Sequence, residues 1–505
     1  MSKPASSLSF YVDLDAGLLD DRLDTLYKTL KADGEIFQAS EVAERALGVI
    51  EDPRLRSTWL SRRDQRSDEL LMFDTGWLPD RLFPGAETQS VREDVVLGMF
   101  KSSLPHSVAG YTIRTQKTLE AQKAAGFDVV PCTPIGFGDE AVEVVGTVEY
   151  RRLDPTTSGS DWNRSETLER NASALLHVAK EVKPALVHAA SGFYGPDMGL
   201  VALAVAKSIQ RPFVYELRGM LPETWSYHGA GLKVHRQASW LRWSQELRLA
   251  HDASAVVVIG EHLKAQLVAG GTDPAKVFVV PNGVDTKVFR PFAAATKPPG
   301  IGLDDSLPTV GYISNLGERE GHSVLVDAVA LLSERGFPVN CLLVGDGPTM
   351  SAIRQQVHEK NVESLVRLTG TVPHDEVMKY YSALDVFVVP RLDDRAARYT
   401  TPLKPYEAMA MKIPLVVSDL PALKEIVGDE ERGTTFYCGS ASSLADAISR
   451  VLEEGSASRS RAEAAFRWVA EERTWEHNAR RYRDAFDFAL GSSTRQTSGS
   501  PIAAP

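Results

Sequence analysis

The stretch VVPRLDDRAARYTTPLKPYEAMAMKIPLVVSDLPALKE, residues 388–425, carries the reading of this chain. An apolar run, Val386–Val389, stops at Pro390, and a polar loop leads to Thr401-Pro402-Leu403-Lys404-Pro405. A helix-like run (406–411) and a second apolar run (414–417) follow. Strand, loop, helix opening and strand make a βαβ unit. In such a unit the loop after the strand meets ligands, and the unpaired N–H groups of the helix start suit a phosphate. Lys404 adds a full positive charge there, and Glu407, in the first turn, is within reach of a sugar hydroxyl.

Around this unit the chain alternates strands and helices. Apolar runs at 94–100, 127–131, 185–190, 212–217, 254–259 and 277–281 are separated by helical stretches, the rhythm of a parallel sheet covered on both faces. A second set lies at 309–314, 339–344, 366–370, 386–389, 414–418 and 434–438. The sequence therefore predicts an α/β protein with two doubly wound, Rossmann-like domains, residues 91–290 and 291–460, sharing one cleft at their strands' carboxyl ends. The segment 289–302, FRPFAAATKPPGIG, reads as their linker. The stretch 139–184 interrupts the first set, and within it 156–165 reads as a mobile loop.

Residues 1–90 differ. Leu19, Leu23, Leu26, Tyr27 and Leu30 share one helical face, and helical segments recur at 39–50 and 54–71. This is a helical extension, read as docking on the main body or on a partner, a second copy of the chain included. Asp13-Leu14-Asp15 is a short acidic pair of a kind that can bind metal, but before a helix it reads as a cap or a solvated turn. Residues 461–490 form a final helical stretch, and 491–505 reads as a disordered tail.

Composition sets limits. The 505 residues suffice for two or three domains, and 43% hydrophobic with 24% charged residues is ordinary for a globular protein. A net charge of −11 argues against non-specific nucleic-acid binding, while leaving room for a basic patch at a membrane surface. Cys132, Cys341 and Cys438 are too scattered for a disulfide framework or a zinc site. No apolar run approaches ~18 residues, and the first residues, MSKPASSLSFYVDLDAG, contain no apolar signal core, so a cytoplasmic protein is expected. No GxxxxGK[ST], HExxH or GxSxG motif is present.

The opening stretch resembles the donor-binding signature of retaining GT-B glycosyltransferases of the family four type. Their usual form has two glutamates separated by seven residues, the second followed by Ala-Met-Ala. Glu407-Ala408-Met409-Ala410 matches the second half, and the first glutamate falls at Tyr399. A variant branch reads Pro-Leu-Lys before the second glutamate, as Pro402-Leu403-Lys404 does. The resemblance covers about residues 93–490. It implies Glu407 as the ligand of the donor ribose and Lys404 as a ligand of the diphosphate, with Leu403 in the same loop. It also implies that the last helix crosses back to the first domain.

Further motifs fit the same family. Val280-Pro281-Asn282-Gly283-Val284-Asp285 resembles its interdomain segment and reads as a hinge turn. Gly311, in the second domain's first strand, would let backbone approach a phosphate. The family usually supplies an Arg after that glycine and a Lys before a later one. Here Tyr312 and Glu320 stand in those places, and the Pro-Leu-Lys branch also has Glu-Gly there. Arg319 is then the nearest substitute cation, with a solvated helix start as the plain alternative. Gly345-Asp346-Gly347-Pro348 matches the next loop. Backbone around Val372 would contact the donor base, with His374 exposed. Arg391, after Pro390, is a diphosphate candidate because guanidinium matches phosphate oxygens, and a salt bridge to Asp393 or Asp394 is the plain alternative.

In the first domain, the loop 105–111 with Gly110 resembles the glycine loop that faces the acceptor, with Arg114 one turn on. His106 there is a candidate to act on the acceptor, with an exposed loop histidine as the plain alternative. Arg218, at the end of the strand Tyr215-Glu216-Leu217, is a candidate for acceptor or sugar binding, and Glu216 reads as a strand residue or a buried partner. The expectation is a metal-independent hexosyltransferase-like enzyme, with no cofactor beyond its nucleotide-sugar substrate. It would move a sugar to a glycan, glycolipid or other small acceptor with retention. The alternatives are a non-catalytic GT-B partner subunit, a nucleotide-sugar epimerase, or a phosphorylase carrying pyridoxal phosphate on a lysine.

Overall fold

The run REDVVLGM sheds its charges after Asp94 and becomes β1 (Arg92–Met99), an interior strand of an eight-stranded sheet. The computed structural model describes residues 16–74, 76–83, 90–158, 162–192, 195–220, 236–291, 301–373 and 376–491. The first sheet also contains β2 (Asp128–Thr133), β3 (Val142–Val145), β4 (Val148–Arg152), β5 (Pro184–Ala190), β6 (Phe213–Leu217), β7 (Ala255–Val258) and β8 (Val277–Val279). Their order is β3-β4-β2-β1-β5-β6-β7-β8, parallel except for the β3–β4 hairpin. β5, β6 and β7 are buried at every position, as strands covered on both faces must be.

The second sheet contains β9 (Thr309–Ile313), β10 (Asn340–Val344), β11 (Val366–Leu368), β12 (Val386–Val389), β13 (Leu415–Ser418) and β14 (Thr434–Phe436). All its pairs are parallel, in the order β11-β10-β9-β12-β13-β14. The strand order reverses between β1 and β5 in one lobe and between β9 and β12 in the other. At such switch points the loops part and leave a crevice beyond the strand ends.

Several details depart from the sequence reading. The stretch 139–184 does not break the first sheet but widens it, because the β3–β4 hairpin adds to its edge. The end of the expected loop 156–165 is already helix: Asn163 accepts a bond from the Glu166 N–H and starts the helix Arg164–Val182. The expected single C-terminal helix is two. Ser456–Glu472 packs Ala465 and Val469 into the second lobe's core, whereas His477–Leu490 packs Tyr482 and Phe486 into the first lobe's. The lobe boundary also comes earlier than the linker suggests, since Val284 and Phe289 already belong to the second core.

Before β1 lie the helices Ala16–Ala32, Ile36–Val49 and Pro53–Met72. They have a small core of their own around Trp59, which is 1% exposed and donates to Asp20 at 2.6 Å. They also dock on the first lobe. Ile36 packs with Ala238 and Leu241, the Phe37 N–H donates to Gln237, and Asp68 accepts from the Arg164 and Ser165 N–H groups. Asp13–Asp15, His374, the middle of the linker and residues 492–505 lie outside the described residues.

Candidate active site

The two switch points face each other across a cleft of about 340 Å³. Gly110, Tyr111, Arg114 and Arg218 line it from the first lobe; Tyr312, Ser314, Glu320, Arg391 and the turn Thr401–Lys404 line it from the second. Of the residues singled out from sequence, Lys404, Arg391, Arg218, Leu403 and Gly110 therefore come together. Glu407, Arg319, Gly311 and Val372 are not among the lining residues.

The helix Lys404–Ala410 begins at the cleft with Pro405 in its first turn, a position where the missing N–H costs nothing. Its Ala408, Met409 and Ala410 are fully buried against the second core, which fixes the helix and hence the positions of Lys404 and Glu407. Lys404 Nζ lies 3.1 Å from Glu407 Oε2, and that oxygen also accepts from the Tyr381 hydroxyl at 2.6 Å. Glu407 is thus 7% exposed and stands behind Lys404, with Oε1 making no hydrogen bond among the described residues. Burial and then Glu407 push the Tyr381 hydroxyl well above its ordinary value, so it stays a donor.

Arg391 is tied to Glu320, not to Asp393 or Asp394. Its Nη2 donates to Oε1 at 2.9 Å and its Nε to Oε2 at 3.1 Å, and the Tyr312 hydroxyl donates to Oε2 as well. Tyr312 and Glu320, which replace the family's usual cations, are therefore the clamp that aims Arg391. Burial alone would raise the Glu320 carboxyl, but Arg391 overrides it and holds it below the usual range. Arg319 pairs with Asp394 and, unlike Arg391 and Lys404, is not among the residues lining the cleft. Nor does Gly311 approach a phosphate. It is interior to β9, where a Cβ would meet the Leu342 carbonyl oxygen at 2.4 Å, so its small size serves strand packing. The close backbone approach occurs at Gly321, φ +71°, where a Cβ would sit 1.9 Å from the Pro390 carbonyl oxygen, beside Arg391. Val372 packs on the second core.

On the facing lobe, Glu216 of β6 is fully buried between two arginines. Arg218 donates to it from Nε at 3.0 Å, and also to Thr115 Oγ1 at 2.6 Å. Arg114 donates to it at 2.9 Å, and its other donors go to Asn282 Oδ1 and the Val280 carbonyl. Burial would raise the Glu216 carboxyl, yet Arg218 and Arg114 hold it well below its ordinary value. His188, 3.3 Å away, is pushed down by burial and is neutral. His106 is not free in its loop but lies 2.9 Å from Glu143.

Sequence reasoning missed Asn282. It is 5% exposed, accepts from Arg114, and donates to the Thr401 carbonyl at 2.8 Å. The hinge turn is thus a strut across the lobes that holds the turn leading into Lys404. Tyr399, where the first glutamate of the signature falls, packs with Ala396 against the first lobe's core. That half of the motif has become an interlobe contact.

Comparison with known proteins agrees with this architecture. Residues 109–283 match the model of the glycosyl transferase 4-like domain, and residues 307–454 match that of glycosyl transferases group 1. The chain is 26% identical over 243 residues to a GDP-mannose-dependent alpha-(1-6)-phosphatidylinositol monomannoside mannosyltransferase of Mycobacterium tuberculosis, covering 47% of this chain and 62% of that protein. It is 27% identical over 292 residues to the putative teichuronic acid biosynthesis glycosyltransferase TuaC of Bacillus subtilis, covering 56% of this chain and 66% of that one. The matches thus span under two thirds of these relatives. Among solved structures, sucrose-phosphate synthase of Thermosynechococcus elongatus superposes with a TM-score of 0.64 at 23% identity, over 79% of this chain and all of that one. Anabaena HepE in complex with UDP-glucose superposes with a TM-score of 0.58 at 17% identity, over 78% and 99% of the two chains. With both lobes matched by these models and both sheets in the corresponding fold, the chain belongs to the GT-B glycosyltransferases of the group 1, family-4-like type.

Proposed function

We propose that this protein transfers a sugar from a nucleoside-diphosphate sugar to a hydroxyl acceptor with retention of configuration. The observation that carries the reading is the meeting of Arg391 and Lys404, from one switch point, with Arg114 and Arg218, from the other, in a single cleft. As the glycosidic bond breaks, the leaving diphosphate gains negative charge. Arg391, held by Glu320, and Lys404, once it turns from Glu407, would stabilise that charge. Glu407 lies within a turn of Lys404 and would reach the donor's ribose once Lys404 turns to phosphate. The acceptor hydroxyl would enter from the first lobe, on the face the diphosphate leaves, and pass its proton to a departing phosphate oxygen. No protein nucleophile is required. The relatives' printed activities, a GDP-mannose-dependent mannosyl transfer and teichuronic acid synthesis, support a sugar-nucleotide donor and a cell-surface glycan or glycolipid acceptor. Lys404→Ala is expected to lower turnover by roughly two to three orders of magnitude, the scale of one lost charge stabiliser. A steady-state assay of nucleotide release decides it, and near-normal turnover would remove Lys404 from the site.

One observation favours a second reading, binding without transfer: Tyr399 stands where the signature's first glutamate falls and is spent on lobe packing. Transfer of labelled sugar by the purified protein excludes it.

A further inference from the structure

The charges of the two lobes do not balance alike. In the second lobe, Arg391 faces Glu320, Arg319 faces Asp394 and Lys404 faces Glu407. In the first lobe, Arg114 and Arg218 share the single carboxylate of Glu216, and His188 is neutral. Lys101, just past the end of β1, adds a third cation. Its Nζ lies 4.5 Å from the centroid of the Tyr111 ring, and it has no carboxylate or hydrogen-bonding partner among the described residues. The Arg218 guanidinium lies 4.7 Å from the centroid of the same ring. Tyr111 lines the cleft and is held in place, since its hydroxyl accepts from the Lys101 N–H at 3.3 Å.

A half-buried cluster with two positive charges in excess is costly unless an anion completes it. Arg114 spends one donor of each guanidinium nitrogen on Glu216, Asn282 and the Val280 carbonyl, which ties it to the lobe junction. Arg218 gives Nε and Nη2 to Glu216 and Nη1 to Thr115 and the Tyr111 carbonyl, which leaves it one Nη2 hydrogen at the cleft, whereas the Lys101 ammonium retains all three of its donors. Burial, and then Arg218, push Lys101 below its ordinary value, the direction expected of an ammonium lacking a counter-ion.

Resting on the glycosyl-transfer reading above, we propose that Lys101 and Arg218 form an anion subsite on the acceptor side, and that the acceptor carries a phosphate monoester. A monoester bears between one and two negative charges at neutral pH and matches the excess, whereas a carboxylate would leave one cation uncompensated.

The test is a calorimetric titration of the full chain with sn-glycerol 3-phosphate, run with and without saturating nucleoside diphosphate to block the second lobe. Parallel arms use glucuronate and vesicles of phosphatidic acid in phosphatidylcholine. The subsite predicts binding of glycerol phosphate or of the phosphatidic acid vesicles that persists when nucleotide is bound. It predicts a loss of at least tenfold in Lys101→Gln and Lys101→Met, partial recovery in Lys101→Arg, and weaker binding of glucuronate. Preference for soluble phosphate or for vesicles identifies the source, and either supports the subsite. Absence of both bindings, or binding unchanged in the two neutral variants, overturns it. Nucleotide affinity and melting temperature, measured on the same variants, report on folding. A chain that binds no nucleoside diphosphate at all would fail the glycosyl-transfer reading, while the anion titration without nucleotide still decides the subsite.

Discussion

Arg391 and Lys404 are already engaged, by Glu320 and Glu407, before any ligand arrives. Such buried pairs contribute little net stability when intact, but removing one partner leaves an uncompensated charge. Glu216→Ala would strand two buried arginines and is expected to cost roughly 3–5 kcal/mol, read from urea unfolding; a loss under 1 kcal/mol would contradict the hub assigned to it. The pH dependence has a defined sign. His322 is buried, stacked on Tyr312, and pushed down to about 4, against ~6.5 in the unfolded chain. Its neutral burial is fully favourable above ~6.5 and is eroded as pH falls towards 4, by up to about 3 kcal/mol. Glu216 and Glu320, held below their unfolded values, add losses that begin near their unfolded values, at roughly pH 4.5, and grow as pH falls until each is protonated in the fold. Stability should therefore decline from pH 6.5 to 4.5 in the wild type and stay flatter in His322→Gln. Equal slopes in the two proteins would show that His322 is not responsible.

The elements that join the lobes were the least legible. Strand runs and the Lys404 helix could be read from sequence because apolar periodicity and Pro-Leu-Lys are local signals. Nothing local in Glu425 announces that it accepts from the N–H groups of Glu261 and His262, capping the helix Glu261–Ala269 of the other lobe. Likewise, Asn282 in an Asn-Gly turn looks like a hinge until its two partners, Arg114 and Thr401, are seen on opposite sides. Arg391 was identified as a candidate, but not Glu320 as its holder, because that pair is 71 residues apart in sequence. Glu425→Ala is expected to lower stability by about 1 kcal/mol, the usual scale of a lost helix cap, and unchanged unfolding would show that the cap is idle. Asn282→Ala frees the turn before Lys404. It should lower kcat by about tenfold to a hundredfold through misplacement with little change in KM. An effect confined to KM would instead make Asn282 a binding residue.

At the scale of the whole molecule, the account is of two doubly wound lobes fastened at one side and open at the other. The fastening is made by the helix His477–Leu490 on the first core, by the Asn478 donation to the Pro281 carbonyl, and by Tyr399 against the first lobe. No helix among the described residues is long and apolar enough to cross a membrane. The N-terminal helices are docked on the first lobe's flank, away from the residues that line the cleft. The cleft lies between the switch points, with Arg114 and Arg218 on one wall and Arg391 and Lys404 on the other. The direct measurement is a calorimetric titration of UDP-, GDP-, ADP- and dTDP-linked sugars into the wild type and into Lys404→Ala and Arg391→Gln. The account predicts one-to-one binding of at least one of them, weakened tenfold or more in both variants, each of them still folded at the temperature of the titration. Binding of none, or equal binding by all three proteins, would contradict it.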